Sequence, residues 1–242
     1  GEGQRQLDQP DRALDLRMPA SGNAVGASPV RLDGIPKVTG GERFGGDSFP
    51  ADALAVLVVR SPFHHASFAF GDLDAWSSAK PGIVAVFTAG DIPGRNCFGV
   101  IAPFADQPAL AEGHVRFRGE AVALVAGERA AIADLDVADF PIRWNELPHH
   151  LQIGEADLAG AALVHDNRPG NLLTKGLVER GDPEAALAAA AHTVTGAIET
   201  SYVEHAYIEP EAGHAYMDGD TLVVVACTQA PYMDRDDTAK VL

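Results

Sequence analysis

In the first half of the chain, apolar positions form short runs separated by polar, proline-rich and glycine-rich segments. Four of these runs are rich in aliphatic and β-branched residues and predict β-strands over 53–60, 83–88, 120–126 and 139–144. Pro141 in the last run favours an edge strand, because proline cannot donate a ladder hydrogen bond. Helices are predicted over 72–79, with Asp72 as the N-cap, and over 128–138, with an acidic first turn. The segment 96–112 has no clear period and predicts a long loop.

A second group of elements follows; in order, they are a helix over 182–190, a strand over 192–200, a hairpin of 215–217 with 221–227, and a helix from Pro231 onwards. Asp182 is a candidate N-cap, and Pro183 suits the first helical position. Asp218-Gly219-Asp220 is a typical hairpin-turn sequence. The last helix is still running at Leu242, so we expect further polypeptide to complete this domain. Without it, an apolar face is expected to stay uncovered.

Strands that alternate with short helices indicate a mixed fold, either α/β or α+β, and we take α+β as the class. Four parts are expected along the chain. These are a flexible lead-in over 1–29, an α+β domain over 30–148, a connection over 149–173, and a second, truncated α+β domain over 174–242.

Charge and composition exclude some classes of protein. The formal net charge of -16 repels phosphate backbones, so we expect no nucleic-acid partner. No apolar stretch is long enough for a membrane span, and the first residues lack the apolar core of a secretory signal. A cytoplasmic location is therefore expected. The two cysteines, Cys97 and Cys227, cannot by themselves build a four-cysteine zinc site or iron–sulfur cluster.

Histidines provide the first candidates for metal chemistry. His64-His65 and His149-His150 are adjacent pairs, and neighbouring side chains diverge in extended backbone, which argues against one ion bound by either pair. His205 and Glu209 are four residues apart, but Pro210 disfavours the helix that would bring them to one face. We interpret them as buried, hydrogen-bonded polar residues near a seam of the core, and a metal site there stays as a weaker alternative.

Thr228 and Gln229 are the strongest candidates for a ligand-binding position, because they follow a predicted strand and precede a predicted helix. Side chains at the carboxyl end of a strand often face ligands in layered α/β structures. The amide of Gln229 offers two donors and one acceptor and stays neutral, so it suits the orientation of a ligand. The alternative is an N-cap or loop glutamine that makes a local hydrogen bond.

Ordered motifs add a resemblance to this interpretation. In the first domain they are 31–40 (RLDGIPKVTG), 58–66 (VVRSPFHHA), 81–93 (PGIVAVFTAGDIP), 116–125 (RFRGEAVALV) and 144–148 (WNELP); in the second they are 205–210 (HAYIEP) and 227–231 (CTQAP). The order of these motifs resembles the front portion of the molybdenum-cofactor subunit of the xanthine dehydrogenase and aldehyde oxidase family. The resemblance runs from about Arg31 to Leu242. Cys227 stands where the family motif S-T-Q has serine, and Glu42-Arg43-Phe44 departs from the family's A-x-Y.

The resemblance implies an α/β hammerhead domain followed by the start of a molybdopterin-binding domain. It implies that Gln229, as the glutamine of S-T-Q, contacts the molybdenum cofactor. It also implies that the protein supplies no direct metal ligand, and that the general-base glutamate lies outside this chain. The implied activity is hydroxylation of an N-heterocycle or an aldehyde with water as the oxygen source.

The resemblance further implies partner polypeptides. These are the remaining part of the molybdenum subunit, a 2Fe–2S subunit and an FAD subunit, because this chain has too few cysteines and no flavin motif. A non-catalytic assembly or maturation protein that retains the hammerhead fold is the alternative, since a fold does not prove an activity. Substrate identity is not encoded in these motifs.

Overall fold

The computed structural model describes Val25, residues 31–207 and residues 209–242. The predicted lead-in over 1–29 therefore lies outside the described residues, apart from Val25. The chain divides into two compact units. The larger consists of Phe49–Ile208 with Thr228–Leu242, and the smaller of Gly1–Ser48 with Glu209–Cys227.

Two three-stranded antiparallel sheets form the framework of the larger unit. Its strands, in chain order, are β1 (Ala55–Arg60), β2 (Ala66–Phe70), β3 (Ile83–Thr88), β4 (His114–Val115), β5 (Ala121–Gly127) and β6 (Ile142–Glu146). The strand orders are β1-β5-β3 and β4-β2-β6. Four strands were predicted, and β6 is an edge strand as Pro141 indicated. The sequence patterns did not predict β2 or β4.

Six α-helices are found among the described residues: α1 (Gly34–Thr39), α2 (Leu73–Ser78), α3 (Arg129–Ala133), α4 (Ile153–Ala156), α5 (Pro183–Ala189) and α6 (Pro231–Val241). The N-cap predictions for α2 and α5 are confirmed, because the carboxylates of Asp72 and Asp182 accept backbone N–H groups at 2.8 and 2.9 Å. The prediction for α3 was too long, and its first turn carries no acidic residue. The carboxylate of Asp136 accepts the N–H of Ala138 at 2.8 Å, a local bond that competes with continued helix.

The core of the larger unit draws side chains from both sheets. Its fully buried side chains include Val115, Val122 and Val125. Trp76 of α2 completes one side, where its ring lies edge-on to Phe140 with 4.9 Å between centroids. This packing explains why a helix of only six residues is stable at this position, since helices so short depend on tertiary contacts.

The connection predicted over 149–173 contains local order. It includes α4 and is fastened by Asn171, whose amide nitrogen donates to the carbonyls of Ala156 and Ala162 at 3.0 Å each. Its amide oxygen accepts the N–H of Val164 at 2.8 Å.

The strand predicted over 192–200 is not formed, so this prediction was wrong. Residues 192–200 are exposed and have no ladder partner among the described strands. Val194, Ile198 and Tyr202 are 97%, 94% and 97% exposed. A strand requires a neighbour to accept its hydrogen bonds, and residues 192–200 have none among the described strands.

The smaller unit is built on the predicted hairpin. Strands β7 (Gly213–Asp218) and β8 (Thr221–Ala226) pair in antiparallel register from Gly213 opposite Ala226 to Asp218 opposite Thr221. Gly219 has a φ of 58°, which the tight turn requires and glycine adopts without strain. Among the residues that the structure describes, no helix is both long and apolar enough to cross a membrane.

Candidate functional site

The segment around Gln229 contains a clear division of roles between two adjacent polar residues. The hydroxyl of Thr228 accepts the N–H of Ala230 at 2.9 Å and donates to the carboxylate of Asp234 in the first turn of α6. Ala230, not Gln229, occupies the N-cap position of α6, and no side chain caps it. Thr228 therefore satisfies the local hydrogen bonds of this turn.

Gln229 is exposed, and none of the hydrogen bonds found among the described residues uses its side chain. The alternative of an N-cap or locally bonded glutamine is therefore not supported. A neutral amide without local hydrogen bonds can donate hydrogen bonds to a bound molecule and accept them from it, and the amide stays uncharged.

Several of the sequence motifs meet in the larger unit, where they serve the fold. The guanidinium of Arg60 donates to the carbonyl of Gly119 at 2.8 Å, and the N–H of Gly119 donates to the carbonyl of Ser61 at 2.9 Å. The carboxylate of Glu120, which is buried, accepts the N–H of Arg116 at 2.6 Å. The R-S-P segment and the R-x-x-G segment thus hold each other in place, and their residues need no catalytic explanation.

The histidine pairs behave as expected in one respect. Within each pair, the two rings take different partners, as the divergence of neighbouring side chains predicts. Across the loops, however, His64 lies against His149 with 5.3 Å between ring centroids. Residues from both pairs also line one cavity of about 190 Å³. Sequence separation hid this clustering, because the loops that carry the pairs are brought together only by the fold.

His65 forms the closest histidine contact, and its partner is His114. Their Nε2 atoms lie 2.7 Å apart, and Nδ1 of His65 lies 2.6 Å from the carbonyl oxygen of Pro148. Because a carbonyl can only accept, His65 carries its proton on Nδ1, and Nε2–H of His114 donates to Nε2 of His65. Burial lowers the pKa of His114, and the nearby Arg116 and His65 lower it further, whereas Asp166 opposes this effect.

The weaker metal alternative at His205 and Glu209 gains no support. The ring of His205 stacks on Tyr207, with 5.3 Å between centroids, and lies 3.6 Å from the carboxylate of Glu204. His205 is exposed, so the prediction that it is buried was wrong. The carboxylate of Glu209 accepts the N–H of Gly45 at 3.1 Å in the smaller unit. Among the residues that the structure describes, no group of three or more histidine, cysteine or acidic side chains is arranged to hold an ion.

Comparison with protein families gives two matches that follow one another along the chain. The model of the "aldehyde oxidase and xanthine dehydrogenase, a/b hammerhead domain" matches residues 39–148. The model of the "molybdopterin cofactor-binding domain" matches residues 164–242, which include Gln229.

Among curated proteins, the chain is similar to the nicotinate dehydrogenase large molybdopterin subunit of Eubacterium barkeri. The two are 33% identical over 220 residues, which is 90% of this chain and 50% of that subunit. It is also 31% identical to the putative xanthine dehydrogenase molybdenum-binding subunit of Escherichia coli (strain K12), over 85% of this chain and 28% of that protein. The chain therefore spans half or less of the length of these relatives.

Solved structures show the same likeness. Aldehyde oxidoreductase from Desulfovibrio gigas superposes with a TM-score of 0.70 at 26% identity, over 82% of this chain and 23% of that one. Quinoline 2-oxidoreductase from Pseudomonas putida 86 gives a TM-score of 0.70 at 27% identity, over 89% of this chain and 28% of that one. The mixed fold expected from the sequence is thereby confirmed.

Proposed function

We propose that this chain, which belongs to the xanthine dehydrogenase and aldehyde oxidase family of molybdenum-cofactor subunits, contributes to the active centre of a molybdenum hydroxylase. In this proposal, residues 30–148 supply the hammerhead domain, 149–173 connect it, and 174–242 supply the first part of the molybdopterin-binding domain. The observation that carries the proposal is the exposed amide of Gln229, which makes no side-chain hydrogen bond among the described residues, beside Thr228, whose hydroxyl bonds to Ala230 and Asp234.

The proposed substrate is an N-heterocycle or an aldehyde, hydroxylated at an electron-poor carbon with oxygen from water. The names of the relatives support this class, since they include a nicotinate dehydrogenase, a xanthine dehydrogenase, an aldehyde oxidoreductase and a quinoline 2-oxidoreductase. The molybdopterin cofactor supplies the redox-active metal at which that oxidation takes place.

The part played by this chain is to orient the cofactor. The amide nitrogen of Gln229 has two N–H donors, and the backbone on its carboxyl side continues directly into α6. A donor whose backbone is anchored needs less reorganisation when charge develops nearby, and the bound cofactor would complete the orientation of the side chain. Gln229 does not transfer protons, because an amide does not titrate. We propose, from the family resemblance, that the general-base glutamate lies outside this chain.

The proposed partners supply the electron-transfer centres that this chain has no residues to bind. Electrons from the oxidation must leave through centres that the chain's two cysteines cannot hold. We therefore propose the remaining part of the molybdenum subunit, a 2Fe–2S subunit and an FAD subunit as partners in a cytoplasmic complex.

The substitution Gln229→Ala in the complete enzyme tests this proposal. Loss of one preorganised donor is expected to slow turnover on the order of 10- to 1000-fold, by analogy with deletions of oxyanion-hole donors. The low end applies if water takes the place of the lost amide. The measurement is kcat per bound molybdenum, so that poor cofactor loading cannot imitate the effect.

Thr221→Ala is the matched control, because Thr221 is an exposed residue on β8 that starts the strand leading to Gln229. Its turnover should stay near that of the wild type. A Gln229→Ala enzyme that is fully loaded with molybdenum and turns over at the wild-type rate would overturn the proposed role of Gln229.

A further inference from the structure

Helix α6 receives two backbone hydrogen bonds from a segment that lies far away in the sequence. The carbonyl of Lys240 accepts the N–H of Arg95 at 2.7 Å, and the carbonyl of Val241 accepts the N–H of Gly94 at 3.0 Å. Both donors belong to the turn that follows β3 in the hammerhead region.

Gly94 approaches the helix more closely than any other residue type could. A Cβ atom at this position would lie 2.3 Å from the carbonyl oxygen of Lys240 and 2.7 Å from that of Val241. Both distances fall below the van der Waals contact of real Cβ atoms, so either the turn or the helix must move to accept a side chain. The need for glycine arises from this close approach, because the φ of Gly94 lies outside the left-handed region.

The turn itself is fastened on both sides. Before Gly94, the carboxylate of Asp91 accepts the N–H of Thr88 at 2.7 Å and its hydroxyl at 2.9 Å. After it, the amide of Asn96 donates to the carbonyl of Leu110 at 2.8 Å and accepts its N–H at 3.1 Å. Leu110 is only 4% exposed, so this anchor belongs to the packed interior. The turn that carries Gly94 is therefore held by its own hydrogen bonds on both sides.

We propose that Gly94 is a positioning residue, whose backbone holds α6 at Lys240 and Val241 and thereby fixes the placement of Gln229 before the amino end of the helix. The proposal rests on the proposed function of Gln229. Helix α6 has 11 residues and spans about 16 Å. The hydroxyl of Thr228 holds its first turn through Asp234, and Gly94 with Arg95 holds its last. A shift forced at one end is transmitted to the other.

Gly94→Ala in the complete enzyme tests the proposal, and Gly90→Ala is its matched control. A Cβ on Gly90 would meet only the hydroxyl oxygen of Thr88, at 3.7 Å, so this variant should keep wild-type turnover. Gly94→Ala should slow kcat per bound molybdenum by about 10- to 100-fold, the range known for misplacement of a reacting group by about 1 Å.

Combination with Gln229→Ala separates positioning from a general loss of structure. If Gly94 acts through Gln229, the double variant should be no slower than Gln229→Ala alone. The proposal would be overturned if the fold-reductions in kcat of the two single variants multiplied in the double variant. It would also be overturned if Gly94→Ala turned over as fast as Gly90→Ala. If Gln229→Ala keeps wild-type turnover, the proposed function of Gln229 is wrong. If only Gly94→Ala keeps wild-type turnover, the positioning role of Gly94 is wrong and the function of Gln229 stands.

Hydrogen exchange gives a readout that is independent of activity. The amides of Gly94 and Arg95 should exchange slowly in the wild type, and Gly94→Ala should remove their protection while Gly90→Ala keeps it. Unchanged protection in Gly94→Ala would overturn the proposal. Asn96→Ala replaces Gly94→Ala if the latter does not accumulate as folded protein. This variant releases the turn from Leu110. It is used in the same double-variant comparison and the same exchange measurement, and the same results support or overturn the proposal.

Discussion

At the scale of single residues, the His65–His114 contact has the clearest consequence for pH dependence. The pKa of His114 is lowered from its ordinary value of 6.5, first by burial and then by Arg116 and His65. The folded state therefore disfavours the protonated ring relative to the unfolded state. Stability from this group is present above pH 6.5 and is lost as the pH falls through the lowered pKa of the folded protein.

We predict that His114→Gln weakens the loss of stability on acidification, because a glutamine amide can donate to His65 Nε2 without titrating. The measurement is the free energy of unfolding by urea at a series of pH values below 7. His192→Gln is the control, since His192 is exposed in the segment without secondary structure. Equal pH dependence in His114→Gln and the wild type would show that another group dominates.

The residue scale also shows what the sequence could and could not provide. The motif residues Arg60, Ser61 and Glu120 were recognisable as a pattern, yet their mutual hydrogen bonds depend on contacts between distant segments. The sequence patterns did not single out Gly94, because the need for glycine there comes from Lys240 and Val241, which lie far along the chain. Close backbone approach leaves no local signal in a single sequence.

At the scale of elements, local signals decided which predictions succeeded. The helices α2 and α5 were located by their aspartate N-caps, and α6 by its initial proline. Strands β2 and β4 were missed because they are short and formed by pairing with distant partners. The strand predicted over 192–200 failed for the opposite reason, since its pattern is present and no partner pairs with it.

Two N-caps provide a matched prediction at this scale. The carboxylates of Asp72 and Asp182 make the same kind of bond, but α2 packs Trp76 into the core whereas α5 buries no residue. Asp72→Ala should lower the global free energy of unfolding by about 1 kcal/mol. Asp182→Ala should leave it unchanged and only increase hydrogen exchange within α5.

Urea unfolding of both variants, with hydrogen exchange of the amides in α5, checks this pair. The interpretation would be wrong if Asp182→Ala lowered global stability as much as Asp72→Ala, because α5 would then be coupled to the core through contacts that its exposure does not indicate.

At the scale of the whole molecule, an uncovered apolar face was expected, without a place for it on a particular element. Helix α6 carries Asp234, Arg235, Asp236 and Asp237 in succession. The exposed apolar side chains instead include Val194, Ile198 and Tyr202 in the segment without a strand partner. Surface of this kind marks sites that other polypeptide covers.

Beyond the expected lead-in over 1–29, limited proteolysis should therefore cut this chain first within 172–208. Trypsin has exposed targets there at Lys175 and Arg180, whereas the paired strands of the hammerhead region should resist. The same segment should become protected when the chain is assembled in the complete enzyme. Early cleavage between β1 and β6, with 172–208 intact, would contradict this account.

The central claim is that the chain forms part of a molybdenum hydroxylase, and the metal and flavin content of the purified native complex tests it most directly. We predict that molybdenum is stoichiometric with this chain, and that iron and flavin are present and stay with other polypeptides when the complex is dissociated. The contradicting result is a complex without molybdenum, or a chain that retains stoichiometric zinc, iron or flavin after it has been separated from its partners.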